Sequence, residues 1–305
     1  MKLNGRMALM LTLPPLLWAG NAVVGRMVVG TIPPLTLNGL RWTLATLLLL
    51  PLGWRVLASA ASRADIAQRW KELALLSFLG VGCYNSLQYL ALTTSTPVNV
   101  TLIAASSPLW MMAIGALCYR ERPRQRELMG AALSLLGVLV VLSRGNPEAL
   151  ARVQFVRGDV LMLLAVVTWA FYSWQLARPP ASLRGDARPA WNWAELLLVQ
   201  TLFGMVFGLA AAGAEHAVTG AQVQWSPWVA LVLLYVAVGP SVIAYRCWGV
   251  GVAAVGPAVA AFFANLTPLF AALMSAALLG DMPQAYHGLA FALIVAGIAV
   301  SYRRA

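Results

Sequence analysis

Acidic residues are scarce in this chain, with ten Asp and Glu among 305 residues against 21 Lys and Arg and two His. An enzyme working at membrane depth needs paired carboxylates, or a nucleophile beside a base. Glu127, Asp159 and Glu195 fall at the starts of apolar segments, and Asp65, Glu72, Glu148, Asp186 and Glu215 fall in loops or at their edges. His216 is expected in an outer loop and His287 near the start of the last segment. Neither arrangement supports catalysis. The three cysteines, Cys83, Cys118 and Cys247, are odd in number and lie within or at the ends of apolar segments. That argues against a disulfide framework or metal site and favours small apolar packing groups. No G-x-x-x-x-G-K-[ST] run is present, so a nucleotide motor is unsupported, and no cofactor is implied.

Hydrophobic residues, by contrast, make up 61% of the chain and charged ones only 10%. A soluble domain could not bury that much apolar surface. The apolar residues form ten runs near the length that crosses a hydrocarbon core of ~30 Å: 7–25, 34–54, 73–92, 98–119, 128–143, 158–177, 194–213, 227–248, 256–279 and 286–302. The expected fold is an all-α membrane protein of ten transmembrane helices. Basic residues sit in short loops and build no continuous face for nucleic acid. With both termini in the cytoplasm, sixteen lie inside (Lys2, Arg6, Arg55, Arg63, Arg69, Lys71, Arg120, Arg122, Arg124, Arg126, Arg178, Arg184, Arg188, Arg246, Arg303, Arg304) and four outside (Arg26, Arg144, Arg152, Arg157), with Arg41 inside the second span. The positive-inside rule favours that orientation in a bacterial-type inner membrane. Lys2 and Arg6 before an apolar run imitate a secretory signal, but Pro14, Pro15 and Asn21 interrupt the run and no cleavage site follows closely, so it is a retained first helix.

The chain repeats itself. At an offset of 160, Pro97, Pro108, Leu109, Pro123, Gly137 and Arg144 match Pro257, Pro268, Leu269, Pro283, Gly297 and Arg304, and Glu121 meets Asp281. An offset of 151 sets Trp18-Ala19 on Trp169-Ala170. Residues 1–150 and 151–305 are therefore expected to be two five-helix repeats in one integrated unit. Because five is odd, the second enters the membrane inverted, an arrangement from which many secondary transporters are built and which gives a route to alternating access. A compact chain with its own two-fold symmetry is expected to work as a monomer, in contact with lipid and a small-molecule substrate.

Polar groups at membrane depth cost energy unless they meet partners or water, so they point to the bundle interior. Trp18 and Asn21 share a face one turn apart, just after a kink expected at Pro14 and Pro15; the alternative is interhelical glue and packing. Tyr84, Asn85, Gln88 and Tyr89 form the richest polar stripe, with Tyr84 and Gln88 in line at i, i+4; the alternative is anchoring at the membrane surface. Asn99, Ser106, Ser107 and Trp110 surround Pro108, and Asn265 and Thr267 flank Pro268. Each proline frees a carbonyl that either binds substrate or is satisfied by a nearby hydroxyl. Trp169 and Tyr172, with Tyr245 and Trp248, suit a solute with an aromatic ring or an amine, although aromatics also mark span ends. The candidate substrate-binding set is Trp18, Asn21, Tyr84, Gln88, Asn99, Ser107, Trp110, Trp169, Tyr172, Tyr245 and Asn265, around a cavity between spans one, three, four, six, eight and nine. Arg41 is weighed more as a bridge between helices than as a ligand to a substrate carboxylate.

Leu17-Trp18-Ala19-Gly20-Asn21, Ile32-Pro33-Pro34, Leu40-Arg41-Trp42 and the apolar run to Pro51 resemble the opening of an EamA-type member of the drug/metabolite transporter superfamily. Ser107-Pro108-Leu109 and Thr267-Pro268-Leu269, each leading to an acidic residue, are similar to its repeated helix. The resemblance spans nearly the whole chain. It implies a ten-helix metabolite carrier, and the Trp- and Tyr-rich spans look most similar to YddG-like amino acid exporters. It departs from the small four-helix members, which place a glutamate in the first helix where this chain has Trp18 and Asn21. A proton-coupled exporter of cationic drugs needs such a buried carboxylate. The expected function is facilitated export, by alternating access, of neutral amino acids, aromatic or hydrophobic ones foremost. A nucleobase, a sugar or another metabolite is the alternative, with proton-coupled drug efflux behind it.

Overall fold

The computed structural model describes residues 5–95, 97–279 and 284–302, and every regular element among them is helical. Lys2, Asp281, Pro283, Arg303 and Arg304, which enter the charge and repeat comparisons, lie outside the described residues. Eight helical runs are long and apolar enough to cross a membrane, a ninth is bent by 41° between its halves, and a shorter apolar helix follows at Ala285–Ser301.

In order, the spans are Gly5–Met27, Pro34–Gly53, Trp70–Thr94, the bent pair Pro97–Ala105 and Ser107–Cys118, Gln125–Leu142, Arg157–Ala177, Trp193–Thr219, Pro227–Val255, the pair Pro257–Ala264 and Leu266–Leu279, and Ala285–Tyr302. The first runs through Pro14 and Pro15 as one helix. The stretch after the second folds into two short helices, Arg55–Ala58 and Ala60–Gln68. The seventh is longer than its apolar run. At its start Asn192 accepts from the Ala194 and Glu195 amides at 2.8 and 3.1 Å, while Glu195 accepts from the Asn192 amide at 2.7 Å, a capping box that fixes where the helix begins. It continues to Thr219, where Gly220 at φ 64° ends it with a left-handed cap. His216 is thus in a last helical turn rather than in a loop, because Glu215 and His216 end the apolar run six residues before the backbone stops being helical.

Two pairings form the frame. The fifth span packs along the tenth and the second along the seventh. A Cβ on Gly297 would come 2.6 Å from the Gly130 carbonyl oxygen, and one on Gly39 would come 3.0 Å from that of Gly208. Lipid supplies no hydrophobic drive for helices to associate, so backbones that approach this closely gain stability from dispersion contacts. The other neighbours come in symmetric sets: the third span lies on the sixth as the eighth does on the first, and the fourth on the sixth as the ninth does on the first.

Loop contacts divide the ends of the bundle into two faces. Arg69 donates to the carbonyls of Ser182 and Ala187, and Arg178 pairs with Glu121, so the loops after the second, fourth and sixth spans share one face. At the opposite face Glu215 accepts from the Leu35 and Thr36 amides, and Asn99 donates to the Gln154 carbonyl.

Candidate functional site

The third and eighth spans are not regular. Each contains a π-helical turn, Phe78–Cys83 and Ala237–Ile243, and the two occupy positions 160 residues apart. A wide turn misaligns the i→i−4 ladder and leaves carbonyls free for side chains; Pro240 removes a further donor. The carbonyl of Gly80 accepts from the Tyr245 hydroxyl at 2.6 Å. Its counterpart at Pro240 accepts from the Trp18 indole and from Arg41 Nη2, both at 3.2 Å. The two irregular turns therefore pin the centre of the bundle together.

Arg41 is wholly buried there. Its Nε donates to Ser241 at 2.6 Å and its Nη1 to Asn85 Oδ1 and the Tyr89 hydroxyl at 3.0 and 3.1 Å, and its guanidinium is 5.0 Å from the centre of the Trp42 ring. No carboxylate lies within ion-pairing distance among the described residues. A charge at the membrane centre costs about 2.5–3.5 kcal/mol on an insertion scale, and here neutral acceptors and an aromatic face offset it. The guanidinium bridges spans two, three and eight.

Beside this network a cavity of about 440 Å³ opens toward the face that carries the loops after the first and third spans, within the size range of small-molecule sites. Its wall combines Trp18 and Asn21; Tyr84, Asn85, Gln88 and Tyr89; Ser107; Trp169; Tyr245; and Asn265 and Thr267, from spans one, three, four, six, eight and nine. Among the described residues, none that lines it carries a formal charge. A second cavity, about 470 Å³, opens toward the opposite face, where Arg188, Trp191, Gln200 and Arg246 line it together with Tyr172 and Tyr245. Between the two stands a cluster of rings centred on Trp169, whose centroid lies 5.0–5.5 Å from those of Trp18, Tyr84, Tyr172, Tyr245 and Trp248.

Of the eleven residues expected to face a substrate, Trp18, Asn21, Tyr84, Gln88, Ser107, Trp169, Tyr245 and Asn265 line the first cavity. Three do not. Tyr172 faces the second cavity and donates to Gln200 at 3.1 Å. Trp110 packs half-buried against the core. Asn99 donates to Asp159 at 2.9 Å, and with Ser95 it satisfies that buried carboxylate where the third, fourth and sixth spans meet. The carbonyl that Pro108 deprives of its helical partner, Ala104 O, accepts from Ser107 at 2.5 Å, so in this half a hydroxyl satisfies it. Asn265 donates to Ser134 at 2.8 Å, which ties its amide to the fifth span.

The candidate set omitted Asn85 and Tyr89, which line the cavity and hold Arg41. A signal for Asn85 was present: it lies 160 residues before Tyr245, at the offset that relates the prolines, and the two side chains meet at 3.3 Å.

Two inverted sets of five membrane-crossing helices around a polar cavity define a multi-pass membrane carrier. The chain belongs to the EamA-like transporter family, whose profile matches residues 5–143 and 156–303. It is 26% identical over 97% of its length to an uncharacterized transporter of Archaeoglobus fulgidus, 97% of which is covered. It is 25% identical to a probable amino-acid metabolite efflux pump of Salmonella typhimurium, covering 93% of this chain and 90% of that protein. It is also 25% identical to the aromatic amino acid exporter YddG of Ancylobacter novellus, covering 89% of this chain and 88% of that protein.

Proposed function

We propose that this protein is an exporter of neutral amino acids, aromatic and hydrophobic ones foremost, that works by alternating access without catalysing a reaction. The observation that carries the proposal is the wall of the first cavity: rings of Trp18, Tyr84, Trp169 and Tyr245 beside the amides of Asn21, Asn85 and Gln88, with no charged residue among the described ones. Rings offer area to an apolar side chain and their faces attract an ammonium group. Amides and hydroxyls fix the orientation of the polar end. Two relatives described as amino acid exporters or efflux pumps support the same substrate class.

In the proposed orientation both termini are cytoplasmic, so the first cavity opens outward and the second inward. The ring cluster centred on Trp169 is the barrier between them, and exchange between two nearly equivalent packings of the inverted halves moves it. Among the described residues no buried carboxylate faces the first cavity to bind a proton in competition with substrate, and on this reading transport runs down the solute gradient, in a monomer.

Ligand-induced thermal stabilisation of the purified protein tests the substrate class. Phenylalanine and tryptophan are expected to raise the melting temperature, and Gln88→Ala to abolish the rise. Stabilisation by a nucleobase or a sugar alone would replace the amino acid assignment.

A further inference from the structure

We infer that the first cavity contains a carboxylate subsite formed by the Asn21 and Asn85 amide nitrogens, polarised from behind by the buried charge of Arg41. The inference rests on the transport function proposed above and names the chemical group its substrates must share.

A guanidinium has donors only and keeps its proton at any physiological pH, so every group it touches must present an acceptor. Asn85 therefore turns its oxygen to Arg41 Nη1 at 3.0 Å and its nitrogen the other way, where it donates to the Tyr245 hydroxyl at 3.3 Å. One amide hydrogen of Asn85 is left over. Tyr89 likewise accepts from Nη1 at 3.1 Å, which leaves its own proton to donate to Asn21 Oδ1 at 3.2 Å. Asn21 in turn is left with an amide nitrogen that no acceptor among the described residues engages. Asn21 and Asn85 are 5% and 4% exposed, and both line the cavity. Two chains of hydrogen bonds thus begin at one cation and end in amide donors at the same cavity wall. Each link polarises the next, and in a medium of low dielectric that effect is strongest.

The charge itself lacks a counter-ion. Four neutral hydrogen bonds and the Trp42 ring surround Arg41, and no carboxylate pairs with it among the described residues. A carboxylate held by the Asn21 and Asn85 donors would be the missing anion one residue removed. The residues of the second cavity point the same way, since Arg188 and Arg246 line it and, among the described residues, no acidic one does. Both cavities therefore present positive potential to an entering solute. The rings of the first cavity are left for the side chain and the ammonium group of an amino acid.

Competition against labelled phenylalanine counterflow in proteoliposomes separates the possibilities, with phenylalaninamide, phenethylamine and 3-phenylpropionate as probes. Phenylalanine and 3-phenylpropionate are expected to compete, and the two probes without a carboxylate to compete at least tenfold more weakly. Asn85→Asp supplies a fixed anion to Arg41. It is expected to melt at or above the wild-type temperature, to lose phenylalanine counterflow at least tenfold and to admit phenethylamine. That variant gains a partner for a buried charge and its melting temperature reports its folding, whereas Arg41→Leu would strand the acceptors around the guanidinium; Arg41→Lys, which keeps the charge, is expected to retain the preference in part. Equal competition by phenylalanine and phenylalaninamide, or unchanged phenylalanine counterflow in Asn85→Asp, would overturn the subsite and leave the transporter assignment standing. Absence of phenylalanine counterflow in the wild-type protein, beside a working control carrier, would overturn both.

Discussion

Trp169→Ala is the sharpest perturbation of the barrier between the two cavities. The indole is 5% exposed and its ring lies within 5.5 Å of five others, edge-on to Trp18 at 88° and to Tyr245 at 77°. Truncating a buried tryptophan costs about 3–5 kcal/mol through lost contacts and the void left behind, and each well-placed aromatic pair adds about 0.5–1.5 kcal/mol beyond its area. The variant is therefore expected to melt several degrees below wild type. The void also falls between cavities of about 440 and 470 Å³ that already share Tyr245. A carrier that is never open to both sides is accelerated by unlabelled substrate on the opposite side, whereas a continuous path is not. In proteoliposomes Trp169→Ala is expected to keep or raise downhill phenylalanine flux and to lose that acceleration, and Trp169→Phe to retain most of it. A variant that melts within a degree of wild type with acceleration intact would show that these rings are not the barrier.

Other parts of the structure give independent expectations. Gly297→Val forces a methyl group against the Gly130 backbone, where a Cβ already comes to 2.6 Å, and is expected to destabilise by about 1–3 kcal/mol or more. Gly288→Val, in the same helix with nothing within 4 Å, is expected to leave the melting temperature nearly unchanged. Asp159→Leu strands the Asn99, Ser95 and Val156 donors; at about 1–3 kcal/mol for each buried unsatisfied group, it should lower the melting temperature more than Asn99→Ala does. Cys118 is exposed, Cys83 half-buried and Cys247 buried. A membrane-impermeant maleimide should therefore label Cys118 in inside-out vesicles and not in intact cells, and the reverse pattern would invert the proposed topology.

Much of the fold is legible because lipid simplifies the code: a span must be apolar for about 20 residues, and each loop interrupts it with charge or proline. The inverted repeat is legible for a similar reason, since proline and glycine mark backbone positions that side-chain exchange does not blur. The π-helical turns were not, although Gly80 and Pro240 stand 160 residues apart, because a wide turn depends on partners that sequence does not display. Residues of the cavity wall are legible where polarity alone singles them out, as with Asn21 and Gln88. Asn99 has the same chemistry but is consumed by Asp159, which stands sixty residues away in the chain and beside it in the bundle. The environment of Arg41 was equally hidden, because its hydrogen-bond partners come from two other spans, the third and the eighth.

Counterflow in proteoliposomes, without an ion gradient, tests the central claim most directly. Vesicles containing the protein and loaded with unlabelled phenylalanine or tryptophan should transiently accumulate the labelled amino acid above its external concentration, and Gln88→Ala should abolish the effect. Failure of every neutral amino acid to give counterflow, beside a control carrier that does, would contradict the assignment.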